Sequence, residues 1–174
     1  LMAITALTPS RANAAEGDET ENQDAPWVYA YVNGVMTEEI DFSDADATEE
    51  WIGNAVTTAD SIRVTGTWDE IQLAGLRASM KGETKYYSGS NTTLKKVDMS
   101  GVSLSSEGSF TNTTGMSHLF RFCTALHTVT LPTAGSASGV SFSNTFSNCT
   151  ALTSLTGLES FTNVTDLGYA FITG

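Results

Sequence analysis

Apolar and polar positions alternate along the first strongly patterned stretch of the chain. Trp27-Val28-Tyr29-Ala30-Tyr31-Val32 is aromatic and β-branched, the make-up of a strand. Asn33-Gly34 suits a tight hairpin turn, and Val35 to Ile40 can return as the partner strand. Ser43 or Asp44 can cap a short helix through Trp51-Ile52. Ser61-Ile62-Arg63-Val64-Thr65 predicts the next strand. Beyond Gly66, Thr67 with Glu70 three residues on makes a capping box, in which each side chain satisfies an orphan backbone N–H. The helix it opens carries Ile71, Leu73, Leu76 and Met80 broadly on one face and ends at Lys81-Gly82. Leu94 to Met99 is the following strand.

From Leu94 onward the pattern repeats. Phe120, Cys123, Leu126 and Val129 each recur 26 positions later, as Phe146, Cys149, Leu152 and Leu155, and Cys-Thr-Ala-Leu occurs twice verbatim. Leu167-Gly168-Tyr169-Ala170-Phe171 begins a third copy. Leu94, Val97 and Met99 match Leu126, Val129 and Leu131 at a longer offset of 32. A period of this length falls within the range of leucine-rich repeats. The unit L-x-x-V-x-L turns alternate side chains of a short strand inward, and the preceding F-x-x-C turn adds a second inward wall. One unit cannot bury that face alone, but stacked units can, with their strands forming a parallel sheet. The expected inward set is Leu94, Val97, Phe120, Cys123, Leu126, Val129, Leu131, Phe146, Cys149, Leu152 and Leu155.

The run F-x-x-C-x-x-L-x-x-V-x-L-P, here Phe120-Arg121-Phe122-Cys123 through Leu131-Pro132, resembles the BspA-like leucine-rich repeat of bacterial surface proteins. Ile62-Arg63-Val64-Thr65-Gly66, its helix, and Leu94 to Ser100 are similar to the capping region before such repeats. The resemblance covers roughly 62–174. Two departures stand out: Thr156-Gly157-Leu158 replaces the usual Leu-Pro, and the third copy lacks its Cys, with Gly174 at that place. The expected fold is therefore α/β: a leucine-rich-repeat solenoid with short parallel strands, preceded by a small mixed α/β cap. The expected organisation is a signal-peptide remnant over 1–15, a flexible acidic lead-in over 16–25, the cap over 26–93 and truncated repeats over 94–174.

Composition sets the setting. Hydrophobic residues make up 40% and charged residues 16%, enough apolar content for a core. The net charge of −12 is uneven: 15–60 holds many acids and no Lys or Arg, whereas 61–174 holds seven acids and seven bases. So acidic a surface repels phosphate backbones and argues against nucleic-acid binding. LMAITALTPSRANAA has the form of a signal-peptide tail, with Ala12-Asn13-Ala14 as a small-x-small cleavage site. No later run is apolar enough for membrane insertion. Secretion or cell-surface display is the expectation.

Candidate chemistry is sparse. Cys123 and Cys149, the only cysteines, read either as free buried thiols of a ladder or as a disulfide. Asp98, Ser117 and His118 can be imagined as a hydrolase set, yet no G-x-S-x-G elbow is present, and His127 falls at an outward strand position. Asp41, Asp44, Asp46, Glu49 and Glu50 cluster, but a calcium loop begun at Asp44 would need Gly where Glu49 stands and Glu where Ala55 stands. The Asn-x-Thr sites at Asn91, Asn112, Asn148 and Asn163 fit turns and polar ladders. Trp27, Trp51 and Trp68 could stack on sugars or pack the core. No enzyme, cofactor or metal is implied. The resemblance implies an adhesin-like binding protein for an extracellular protein or glycan, on host matrix or other cells. An envelope spacer and a β-solenoid carbohydrate-active enzyme are the alternatives; against the enzyme, Arg121 is the only base between Ser100 and Gly174.

Overall fold

The computed structural model describes residues 24–43, 55–81, 89–105, 116–134 and 139–173. Strand β1 (Trp27–Val32) turns at Asn33 and Gly34 into β2 (Val35–Asp41). Both turn residues have positive φ, 53° and 78°, the twist that a two-residue hairpin loop requires. Helix α1 (Ala55–Thr58) precedes β3 (Ser61–Trp68), and α2 (Glu70–Lys81) follows it. Then come β4 (Lys96–Leu104), β5 (Thr128–Thr130), β6 (Val140–Ser141), β7 (Ser154–Thr156) and β8 (Val164–Asp166), with a 3-10 turn at Leu158–Ser160.

Six strands form one mixed sheet in the order β2-β1-β3-β4-β5-β7, and β6 pairs with β8 in a second, two-stranded sheet. β1 runs antiparallel to both β2 and β3, whereas β3-β4, β4-β5 and β5-β7 are parallel. This corrects the expected fold class. The chain is a mixed six-stranded sheet with two α-helices among the described residues, not a leucine-rich-repeat solenoid behind a cap. The reason lies in the hydrogen bonds. The antiparallel hairpin is not a separate lid but part of the same sheet, because β1 bonds β3 and β3 bonds β4. The segments that follow contribute strands of only two or three residues, and the described residues between them form turns and one 3-10 turn rather than α-helices.

The inner face of the sheet and the helices share one core. Val28, Ala30, Ile62, Val64, Trp68, Val97, Met99 and Val129 are buried with Leu73, Leu76 and Met80 of α2. Ile71, expected on the buried stripe, is exposed instead. The helix also starts two residues later than Thr67 suggests, because β3 continues through Trp68. Its box is Asp69 with Gln72: the Gln72 N–H donates to Asp69 Oδ1 at 2.8 Å, and the Asp69 N–H donates to Gln72 Oε1 at 2.9 Å. Gly66 holds φ 93° where the backbone of Ala25 passes, and an added Cβ would collide with the Ala25 carbonyl. The predicted helix through Trp51-Ile52 lies outside the described residues.

Of the expected inward residues, Leu94, Val97, Phe120, Cys123, Leu126, Val129, Leu131, Phe146 and Cys149 are buried, while Leu152 and Leu155 are only partly so. The last two lie on or just before β7, the edge strand of the sheet, beyond which no further strand pairs among the described residues.

Candidate binding surface

The side chains of the sheet that point away from the core line up in rows across the paired strands, with register shifts between Ala30 and Tyr31 against β2 and between Arg63 and Thr65 against β4. One row reads Glu39, Tyr29, Arg63, Asp98, Thr130 and Thr156. A second reads Met36, Tyr31, Ser61, Lys96, Thr128 and Ser154. Trp27 stands beside them, opposite Thr65. The face therefore grades from aromatic rings on β1, through the cations and Asp98 on β3 and β4, to a hydroxyl lattice on β5 and β7. Trp27, Tyr29 and Tyr31 are half-buried, so ring surface remains open.

Local bonds stiffen this face. The Arg63 guanidinium lies 6.0 Å from the Tyr29 ring centroid, within cation–π range. The Asp98 carboxylate accepts from the Ser100 N–H at 3.0 Å. Hydrogen bonds from the Ser100 hydroxyl and N–H hold its pKa below the ordinary value, and Lys96 and Arg63 add to this. The Thr156 hydroxyl donates to that of Thr130 at 3.3 Å.

A second cluster forms where α2 meets the first turn. Arg77 Nη1 donates to the Ser117 carbonyl at 2.9 Å and Lys81 Nζ to the His118 carbonyl at 3.1 Å. The Arg121 guanidinium stacks over Phe122 at 4.6 Å. Burial first, then Arg121, Arg77 and Lys81, bring the His118 pKa down to about 4, so the ring is neutral near pH 7. Ser117 Oγ lies 3.0 Å from His118 Nδ1, but the same hydroxyl donates to the Ser143 carbonyl at 3.0 Å. The single hydroxyl proton is thus committed to Ser143, and Nδ1 is left to donate to Oγ. Asp98 sits on the sheet face with Ser100. The three members of the imagined hydrolase set are not brought together.

The two thiols are free and buried. Cys149 Sγ donates to the Phe120 carbonyl at 2.9 Å, a bond that links consecutive turns. Burial pushes both thiols up to about 12. Trp68 is fully buried, with its indole N–H on the Thr65 carbonyl at 2.7 Å, and Trp51 lies outside the described residues. Of the acidic cluster only Asp41 is described; it is exposed and accepts from the Ser43 N–H at 2.8 Å. Asn91 is buried and serves the fold: its Nδ2 donates to the Met80 carbonyl at 2.7 Å, and its Oδ1 accepts from the Leu94 N–H at 2.8 Å. Among the described residues no helix is long and apolar enough to cross a membrane.

The aromatic-to-hydroxyl rows escaped the reading of the sequence, although half of the signal was there. Trp27, Tyr29 and Tyr31 alternate with buried Val28 and Ala30, which puts all three rings on one face. What they stand beside depends on the register of β1 against β3 and of β3 against β4, which no single strand encodes. No family model, no curated protein and no solved structure matches the chain.

Proposed function

We propose that this chain is a non-catalytic extracellular binding protein that holds a protein or glycan ligand on the solvent face of its sheet. The observation that carries this reading is the pair of cross-strand rows running from Tyr29 and Tyr31 to Thr156 and Ser154. Half-open rings beside hydroxyl and charged groups at about 4.8 Å strand spacing suit a polar polymer. Rings take the C–H faces of sugars or apolar side chains, and the ordered hydroxyls and charges take the polar groups between them. The F-x-x-C spacing shared with BspA-like surface proteins and the signal-like start favour the same setting.

The test is an array of glycans and extracellular matrix proteins probed with the purified chain. Saturable binding is expected, weakened at least tenfold by Tyr29→Ala or Arg63→Ala and unchanged by Ile71→Ser on the exposed side of α2. Absence of binding to every member, or binding indifferent to Tyr29 and Arg63, overturns the reading.

A further inference from the structure

The segment 116–123 departs from the one stacked on it at three neighbouring places. His118, Arg121 and Phe122 stand where, 26 residues later, the chain has Asn144, Ser147 and Asn148. The backbone is the same in both: φ is 59° at His118 and 56° at Asn144, 62° at Phe122 and 59° at Asn148. Asparagine tolerates this left-handed region, whereas a phenylalanine is strained in it. Asn144, Ser147 and Asn148 serve the same geometry, so the turn itself asks for neither the strain nor the cation. What the strained Phe122 provides is a ring beneath the Arg121 guanidinium, 4.6 Å away.

Arg121 is half-buried, and its Nε–H is covered without meeting a hydrogen-bond acceptor among the described residues. A donor taken out of water and left unpaired is costly and calls for an acceptor. The surroundings add charge of the same sign. Arg77 and Lys81 reach from α2 to the carbonyls of Ser117 and His118, so three of the six described Lys and Arg residues gather around His118. Among the described residues these three cations act on the imidazole and no carboxylate offsets them. In a chain of net charge −12 this is a local excess of positive charge. A guanidinium fork seated on a ring and flanked by fixed cations suits an oxyanion. Three positive charges favour a doubly charged one over a carboxylate.

We infer that Arg121, backed by the Phe122 ring and flanked by Arg77 and Lys81, is a binding site for a doubly charged tetrahedral oxyanion, a sulfate or phosphate group. Arg121 grips the anion through its fork. A side-chain turn of the kind common on binding gives the covered Nε–H its acceptor. Arg77 and Lys81 stay on their carbonyls and act through their field. The site shares no residue with the Tyr29–Arg63 rows of the sheet and does not rest on the role proposed for them.

The experiment titrates the full chain with sodium sulfate against sodium chloride at matched ionic strength, following the Arg121 Nε–H and His118 ring resonances by NMR. A saturable shift of the Arg121 signal with sulfate alone is expected. The His118 pKa should rise from about 4 toward the ordinary histidine value, because the anion offsets the three cations; an arginine with a merely structural role would not move it. Arg121→Ser, which installs the residue of the matching place Ser147, should lose both responses and still melt like the parent in chloride. Arg121→Lys keeps the charge without the fork and should bind roughly tenfold more weakly. Lys95→Gln removes a charge elsewhere and should bind like the parent. Glucose 6-sulfate and inorganic phosphate complete the set: tighter binding of the sugar than of sulfate assigns the group to a sulfated sugar, and the reverse order to the free ion, both in support of the site. No saturable response to any of the three anions overturns the proposal. So does a response that survives Arg121→Ser, or one that Lys95→Gln abolishes equally.

Discussion

The two ends of the main sheet are built on opposite principles. At one end β2 is seven residues long, exposed along nearly all its length, and carries Glu38, Glu39 and Asp41. An edge strand studded with charge discourages pairing with another strand, because a partner must lie alongside like-charged or desolvated carboxylates. At the other end β7 is three residues long and uncharged, and later in the chain the exposed Leu167–Ile172 segment stacks on 144–148. The first edge is guarded by chemistry, the second by shortness alone.

The contrast can be broken most forcefully along the aromatic stack. Phe120 is fully buried with the Phe146 ring stacked on it, whereas Phe171 has a ring neighbour on one side and is 55% exposed. Phe120→Ala should cost about 3–5 kcal/mol in urea unfolding, and Phe171→Ala under about 1 kcal/mol, since a cavity forms only where atoms surround the lost ring. Equal costs would mean that the outer turn is covered. Next in size is Gly66→Ala near the guarded end. Positive φ alone costs about 1–3 kcal/mol, and the collision with Ala25 adds to it, so thermal melting should drop by several degrees. A parental melting curve would show that Ala25 does not cross β3.

Smaller effects report on the joints between turns. Cys149→Ala removes both the sulfur's packing and its bond to Phe120, for a loss of about 1–2 kcal/mol. In the intact protein, thiol labelling at pH 8 should wait for unfolding, as both thiols titrate near 12; fast labelling under native conditions would place them at the surface. The mildest effect concerns pH. The folded chain resists protonation of His118 down to about pH 4, while the unfolded chain takes the proton near 6.5. Between those values the unfolded state binds more protons, so stability falls as pH drops from 6.5 to 4 and this contribution changes no further below. His118→Asn, which installs the residue found at the matching position Asn144, should flatten that slope while keeping the positive φ. A slope that persists in the variant assigns it to another group.

Local pattern reaches far in this chain, and where it stops is instructive. The hairpin at Asn33-Gly34, the end of α2 and the burial of Phe120, Cys123, Leu126 and Val129 follow from alternation, turn chemistry and the 26-residue period. The start of α2 does not. Two overlapping boxes, Thr67 with Glu70 and Asp69 with Gln72, compete, and pairing of β3 with β4 through Trp68 and Leu104 decides for the second by keeping Thr67 extended. The fold class does not follow either. The period fixes how turns 116–134 and 142–160 stack, but membership of β1 and β3 in the same sheet rests on long-range pairing. The candidate surface inherits that dependence: its rings lie on β1, its cations on β3 and β4, its hydroxyls on β5 and β7.

One continuous sheet from the acidic edge to the open one is the claim on which the rest stands. Nuclear Overhauser contacts between backbone protons across the strands test it most directly. The account predicts contacts linking Val28 to Val64, Ile62 to Val97, Val97 to Val129 and Val129 to Leu155, all in the same molecule. A spectrum with the Val97–Val129–Leu155 contacts but none joining Val28 to Val64 or Ile62 to Val97 would contradict it, and would separate the hairpin from the turns.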